Sequence, residues 1–305
     1  MSFFITLSAV ASMLIFTVPA YALVKCKVAK PEHIPLLATI LLYLCTPAII
    51  INSFQQLNFS SDTILNLIIY LVLSFLIQFI MMGGVWLIVR KSEHKKNKIA
   101  AIASSLGNCG FFGVPLLKAL FPQNPEAVIY SALFSISMNA IAFTFGSLII
   151  SGDKKYIKAK KVFLNPAMIG TFISISLFIF GIKLPDLLGN TLESCVTLST
   201  PVCMFVLGMR LATIKLPHIF TNATAYLTVF AKQIIMPLIA FVITLLLPLD
   251  PITEAAFIII SSCPVATVVL NLSELLGEGQ EHAADCVLLG TVLSILTMPA
   301  ISLLI

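Results

Sequence analysis

The sequence predicts an all-α membrane protein in which ten transmembrane helices form a 5+5 inverted repeat, with the fourth and ninth helices broken near mid-membrane. Three observations predict it: an apolar composition, a lopsided placement of basic residues, and self-similarity at a fixed offset. Of 305 residues, 59% are apolar and 10% charged, and mean hydropathy is +1.07, whereas an ordinary soluble domain carries about 25% charged residues. A span takes about 20 residues, so ten spans use most of the chain and leave short connections in place of water-exposed domains. The seven cysteines fall singly, with no C-x-x-C pair, which argues against a disulfide framework or a zinc site.

Apolar runs between charged or turn-rich breaks place the spans at 3–24, 34–54, 63–89, 99–121, 127–151, 162–182, 187–212, 218–248, 252–276 and 283–305. The seventh is the weakest by hydropathy, because Asn190, Glu193, Thr197, Ser199 and Thr200 dilute it. In the first, Pro19-Ala20-Tyr21-Ala22 resembles the cleavage site of a secretory signal. Met1 to Phe4 carries no Lys or Arg, which such a signal needs, so the segment is read as a span.

Basic residues sort between alternate connections. Lys25, Lys27 and Lys30 follow the first span; Arg90, Lys91, Lys95, Lys96 and Lys98 follow the third; Lys154, Lys155, Lys158, Lys160 and Lys161 follow the fifth; Arg210 and Lys215 follow the seventh. The opposite side holds only Lys118 and Lys183, and Lys232 falls within a span. By the positive-inside bias the odd-numbered connections are cytoplasmic and both termini extracytoplasmic, as in a multi-pass protein of the cell membrane. The net charge of +5 therefore records orientation and not a nucleic-acid surface, and the run Lys154 to Lys161 also suits anionic membrane lipids.

At an offset of 154, Leu44-Cys45-Thr46-Pro47 falls on Leu198-Ser199-Thr200-Pro201, Gln78 on Lys232, and Asn108-Cys109-Gly110 on Ser262-Cys263-Pro264. Three helices share one register, which divides the chain into repeats at 1–151 and 162–305 joined by a basic connection at 152–161. Five helices per repeat is an odd number, so the second copy is inverted, the architecture of secondary transporters.

The fourth span contains Gly107, Gly110, Gly113 and Pro115 within a few residues of Asn108; the ninth contains Ser261, Ser262, Pro264 and Thr267. Proline lacks an N–H and glycine tolerates dihedrals other residues resist, so both helices are expected to break there. Unwound backbone at that depth must be buried in protein or line a wet cavity, so the two breaks should face each other. If Pro115 and Pro264 open the resumed half-helices, free N–H groups and positive dipole ends converge on an anion pocket. Asn108, Gly110, Gly113, Pro115, Ser261, Ser262, Pro264 and Thr267 are the expected binding residues, with Asn108 an amide donor. The bland reading, that glycine and proline serve close packing, suits one such helix better than two interrupted at matching places, which favour a site.

Gln78, Lys232, Asn139, Asn271 and Glu274 are further polar-lining or coupling candidates, for H+ or Na+. Lys232 either works in transport or pairs with a carbonyl; Glu193 and Glu274 sit toward helix ends as solvated residues; Asp285 and His282 belong to the connection between the ninth and tenth spans. The triplets Asn58-Phe59-Ser60 and Asn222-Ala223-Thr224 occur at about chance frequency and carry no weight.

With these residues in place, the chain resembles the auxin efflux carrier family, which includes the PIN-type plant carriers and short prokaryotic relatives. The resemblance covers essentially the whole chain. Its most specific stretch is Asn108 to Leu120, similar to the family's N-x-x-x-x-G-(I/V)-P-L-L-K-A pattern, supported by Thr200-Pro201 with Met204 to Met209, by Asn165-Pro166, and by Pro264 with Ser273-Glu274. It implies a fold like that of bile acid sodium symporters: a scaffold domain of spans 1, 2, 6 and 7, a transport domain of spans 3–5 and 8–10, broken helices 4 and 9 crossing at their prolines, and elevator movement. It also implies that Asn108 holds a substrate carboxylate and that a homodimer forms through the scaffold. The connection at 152–161 departs from the long hydrophilic loop of many plant members, so the chain lies closer to the prokaryotic branch, often assigned to malate or malonate, and plant auxin is a doubtful substrate.

The expected function is a secondary transporter of small organic carboxylates without a resident cofactor or metal. No G-x-x-x-x-G-K-(S/T) occurs, so the chain is not itself a pump driven by ATP. The alternatives are a sodium-coupled organic-anion symporter of the bile acid type, with Gln78, Asn271 and Glu274 as thin sodium candidates, and a non-transporting membrane sensor. An intramembrane enzyme is disfavoured, as no H-E-x-x-H occurs, His94 and His282 fall in connections, and no nucleophile has an evident base.

Overall fold

The computed structural model describes residues 2–57, 61–90, 95–124, 127–152, 166–213 and 222–305. Asn58 to Ser60, Lys91, His94, the lysine run Lys154 to Lys161, Asn165 and Lys215 lie outside the described residues. Every element among the described residues is helical: α1 (Ser2–Lys25), α2 (Pro31–Gln55), α3 (Ser61–Val89), α4 (Lys95–Ala103), α5 (Cys109–Leu120), α6 (Val128–Ser151), α7 (Pro166–Ile179), α8 (Asp186–Thr213), α9 (Ala223–Leu245), α10 (Pro251–Ser262), α11 (Thr267–Leu276) and α12 (Gln280–Ile301). Seven of these, α1, α2, α3, α6, α8, α9 and α12, are long and apolar enough to cross a membrane. The stretches expected as single spans at 99–121 and 252–276 are each two helices, α4 with α5 and α10 with α11. The polar-diluted seventh span is one 28-residue helix that runs through Pro201.

Local signals set the ends. Asp250 accepts hydrogen bonds from the N–H groups of Ile252 and Thr253, and Pro251 fills the first turn of α10, where its missing donor costs nothing. Gly277, at φ 70°, ends α11 in the left-handed conformation that suits glycine. Among the described residues four π turns occur in the helices, and three of them, Leu41–Cys45, Cys109–Gly113 and Ala231–Ile235, directly precede Thr46-Pro47, Val114-Pro115 and Met236-Pro237. A proline ring clashes with the carbonyl four residues back, and one extra residue in the preceding turn relieves the clash. The fourth, Ala142–Gly146, has no proline after it; there Thr144 donates its hydroxyl to the Ala140 carbonyl at 2.6 Å.

Polarity is inside out. On α3, Leu65, Ile68, Val72, Leu76 and Phe79 are exposed while Tyr70, Ser74 and Gln78 are fully buried, the sorting expected where lipid is the solvent. Small residues set the closest crossings. A Cβ on Gly208 of α8 would lie 2.2 Å from the Thr17 carbonyl oxygen of α1 and 2.9 Å from Ala20 Cβ. A Cβ on Gly170 of α7 would lie 2.9 Å from Pro47 Cα of α2. Through these crossings α1, α2, α7 and α8 pack as one group. Outside this group α1 also packs on α5 and α12, α3 on α4 and α6, α9 on α10 and α12, and α11 on α12.

Gly208→Ala is therefore expected to destabilise the purified protein by about 1–3 kcal/mol through overpacking, read as a lower melting temperature. Gly84→Ala is the control, because nothing lies within 4 Å of its added methyl; equal melting of the two variants would show that the α1–α8 crossing is not tight.

Candidate functional site

The helix α4 stops at Ala103, where Ser104 and Ser105 turn their hydroxyls back to the carbonyls of Ala101 and Ile102, each at 2.9 Å. The Ile102 carbonyl also accepts the Ser105 and Leu106 N–H groups, each at 3.1 Å, which closes the helix end. The chain then runs open through Leu106, Gly107 and Asn108 before α5 begins. In the same way α10 stops at Ser262, and Cys263 to Ala266 run extended before α11. The two open segments meet antiparallel, centred on Gly107 and Val265. Asn108 N–H donates to the Pro264 carbonyl at 2.7 Å, and Ala266 N–H donates to the Leu106 carbonyl at 2.9 Å. Pro264 has no N–H to leave stranded, and its carbonyl is used.

A second layer supports this crossing. The π turn of α9 presents two fully buried polar side chains in succession, Lys232 and Gln233. Lys232 Nζ donates to the Ser261 carbonyl at 2.6 Å, at the C-terminal end of α10 where the helix dipole is negative. A Cβ on Gly107 would lie 3.0 Å from Lys232 Nζ, so the glycine makes room for the ammonium. Gln233 donates to the Gly290 carbonyl at 2.7 Å and accepts from Thr297 Oγ1 at 3.1 Å. From the other side, Ser131 of α6 donates to the Cys109 carbonyl at 2.6 Å, and Ser135 Oγ lies 3.1 Å from Cys109 Sγ.

Above the crossing lies a cavity of about 730 Å³. Its floor is Asn108, Gly110 and Phe111 at the start of α5, and Ala266, Thr267 and Val268 at the start of α11. First-turn N–H groups have no acceptor within their own helix, so both helix starts turn donors and positive dipole ends toward one space. The Asn108 side chain is 4% exposed, and its Nδ2 has no hydrogen-bond partner among the described residues. Thr46, Ile49 and Ile50 of α2, Met138, Asn139 and Phe143 of α6, and Cys203, Val206 and Arg210 of α8 supply walls, with Asn271 and Leu275 of α11 and Pro166 of α7 higher up. Arg210 is the one charged residue in this lining. The arrangement offers an anion neutral donors at depth, apolar walls and one guanidinium.

Of the expected site residues, Asn108, Gly110, Thr267, Asn139 and Asn271 line the cavity. Pro264 belongs to the crossing beneath it, and Ser262 donates its hydroxyl back to the Ile259 carbonyl at 2.7 Å. Ser261 Oγ is buried without a hydrogen-bond partner among the described residues. Gly113 is a packing position, where a Cβ would stand 2.4 Å from Ile260 Cδ1. Pro115 falls after the first turn of α5 and Pro264 ahead of α11, so neither proline opens its resumed helix. Gln78 donates to the Ser74 carbonyl and to Ser137 between α3 and α6, while Glu274 pairs with Arg210 at 2.8 Å. Gln78, Asn271 and Glu274 therefore do not converge.

Three readings need correction. His282 and Asp285 lie inside α12 and are buried, not in a connection, and Asn222 donates to Asp285 Oδ2 at 2.8 Å while accepting the Ala225 N–H as cap of α9. Arg210 lies within α8 and in the cavity wall, not in the connection after it. Glu193 is not merely solvated: its two oxygens take Lys118 Nζ of α5 at 2.9 Å and Asn52 Nδ2 of α2 at 2.7 Å. Missed altogether were Gln233 and, on α6, Ser131 and Ser135, which stand at a spacing of four with the expected Asn139, a stripe visible in the sequence.

The chain matches the family profile described as "Membrane transport protein" over residues 5–163 and 156–302. A Rhizobium meliloti protein named "Putative malonate transporter" is 24% identical over 279 residues, covering 88% of this chain and 86% of that protein. An "Uncharacterized transporter" of Methanocaldococcus jannaschii is 26% identical over 281 residues, with 89% of each chain covered. Another uncharacterized transporter, from Escherichia coli, is 26% identical over 159 residues, or 48% of this chain and 49% of its own.

Gln233→Leu is expected to remove two hydrogen bonds at a buried position, to the Gly290 carbonyl and from Thr297 Oγ1, and to lower stability by about 1–3 kcal/mol. Thermal melting of the purified variant checks this, and an unchanged melting temperature would remove Gln233 from the support of the crossing.

Proposed function

Because this chain belongs to the auxin efflux carrier family of membrane transport proteins, we propose that it is a secondary transporter of small organic carboxylates that works by elevator-type alternating access. The chain is a multi-pass membrane transporter and not an enzyme. One observation carries the proposal: two helix starts and the unpartnered Asn108 amide open into the same cavity. A carboxylate accepts several hydrogen bonds at once, and donors held in place before binding cost little to organise. Neutral donors and dipole ends hold the anion without a fixed countercharge at the floor, so release stays easy. The name of the Rhizobium relative agrees with a short carboxylate as cargo.

In this reading α4 with α5, and α10 with α11, are the broken fourth and ninth spans, and the chain is two inverted five-helix repeats. The group α1, α2, α7 and α8 is the scaffold through which two copies pair, and the helices from α3 to α6 and from α9 to α12 form the transport domain. The rim residues Arg210, Leu275 and Pro166 sit at helix ends next to connections on the basic side of the chain, so the cavity opens to the cytoplasm and the termini are extracytoplasmic. Glu193 and Arg210 are 17 residues apart on α8, or about 25 Å. The Asn52, Glu193 and Lys118 cluster thus joins scaffold to transport domain at the opposite, closed side.

Two experiments test this. Proteoliposomes holding the protein are expected to accumulate radiolabelled malonate or a neighbouring short carboxylate, and Asn108→Ala to raise the apparent KM about tenfold or more; a protein that moves none of them would end the proposal. A membrane-impermeant maleimide is expected to label the exposed Cys26 in inside-out vesicles and not in right-side-out ones, with the reverse pattern overturning the orientation.

A further inference from the structure

The charge in the cavity wall has a partner that stands outside it. Arg210 follows Cys203 and Val206 along one face of α8, all three lining the cavity. Cys203 and Asn108 line the same cavity, and Arg210 stands about 10 Å along the helix from Cys203. Its Nη1 meets Oε1 of Glu274, on α11, at 2.8 Å; the Arg210 side chain is 18% exposed and that of Glu274 47%. One oxygen engages one nitrogen of a fork that carries five N–H donors. A pair with a half-exposed carboxylate is weak, and the guanidinium geometry fits a second carboxylate as well as the first.

We propose that Arg210 captures the incoming organic anion at the cavity mouth and that Glu274 is its built-in competitor, displaced into water as the anion binds. This rests on the reading of the cavity as a carboxylate site. The exchange is charge-balanced, one carboxylate for another, and needs no proton. It also has a mechanical consequence, since the Arg210–Glu274 pair ties α8 to α11. Exchange cuts that tie only when an anion is present, which favours movement of the loaded carrier over the empty one.

The two partners separate this proposal from a merely structural ion pair. Arg210→Gln and Glu274→Gln break the same bond, so a structural role weakens or spares binding alike in both. The exchange instead requires opposite effects. With malonate, succinate and phenylacetate as probes, titrated calorimetrically into the purified protein, Arg210→Gln is expected to raise Kd about tenfold or more. Glu274→Gln is expected to lower Kd about threefold or more, because the competitor is gone, while Glu281→Gln on the same side of the molecule leaves it unchanged. Should Arg210→Gln fail to fold, Glu274→Gln decides alone, and an unchanged or raised Kd overturns the proposal. Both glutamine variants moving Kd the same way, while Asn108→Ala still weakens binding, overturns the exchange and leaves the carboxylate site standing. Wild-type protein that binds none of the probes overturns the site reading and the exchange with it.

Discussion

Two backbone hydrogen bonds between open segments, Asn108 to Pro264 and Ala266 to Leu106, are the constraint on which the rest of the structure depends. Backbone without helical partners is costly inside a bilayer, several kcal/mol for each group left unpaired. Neither break is tenable alone, but each supplies the donor and acceptor the other lacks. The Cys109 and Val269 N–H groups bond the Gly107 and Ala266 carbonyls; what is left over are the N–H groups of Gly110, Phe111, Thr267 and Val268, residues that line the cavity. The polar floor is thus a by-product of the way the breaks satisfy each other.

The crossing also explains the polar residues around it. Lys232 and Gln233 on the α9 π turn, and Ser131 and Ser135 on α6, each bond backbone belonging to the crossing or the elements that hold it. They are buried within an otherwise apolar core, while Leu, Ile, Val and Phe also cover the outside. Far from the crossing, contact is left to glycine: Gly208 and Gly170 let α1, α2, α7 and α8 approach at backbone distance. Between the glycine-packed group and the crossing-bearing helices lie the cavity and both ion pairs on α8. The N-terminal half of α1 also packs across this boundary, on α5 and α12.

Composition made the all-helical, multi-pass character legible, since 59% apolar residues leave few other folds. Glycine and proline density marked both breaks, and Asn108 stood out as the amide beside one of them. The point where each helix resumes was not legible, because a proline marks the end of a π turn as readily as a first turn, as Pro115 shows. Ser261 and Ser262 read as donors to the pocket, but rotation at a helix end is set by the neighbours, and Ser262 bonds its own helix instead. Arg210 read as an orientation charge because it lies near a helix end; whether such a side chain reaches outward or into a cavity depends on what packs beside it. His282 and Asp285 looked like connection residues for the same reason, until Asn222 is seen to pair with them.

The proposed carboxylate site is the floor made by the crossing, against the Asn108 amide. The most direct measurement is solid-state NMR dephasing between the carboxylate carbon of 13C-labelled malonate and 15N-labelled asparagine side chains, in membranes saturated with ligand. Dephasing that marks a contact of hydrogen-bond range and disappears in Asn108→Ala is the result the account predicts. Bound malonate that shows no such contact, or the same contact after Asn108→Ala, would contradict it.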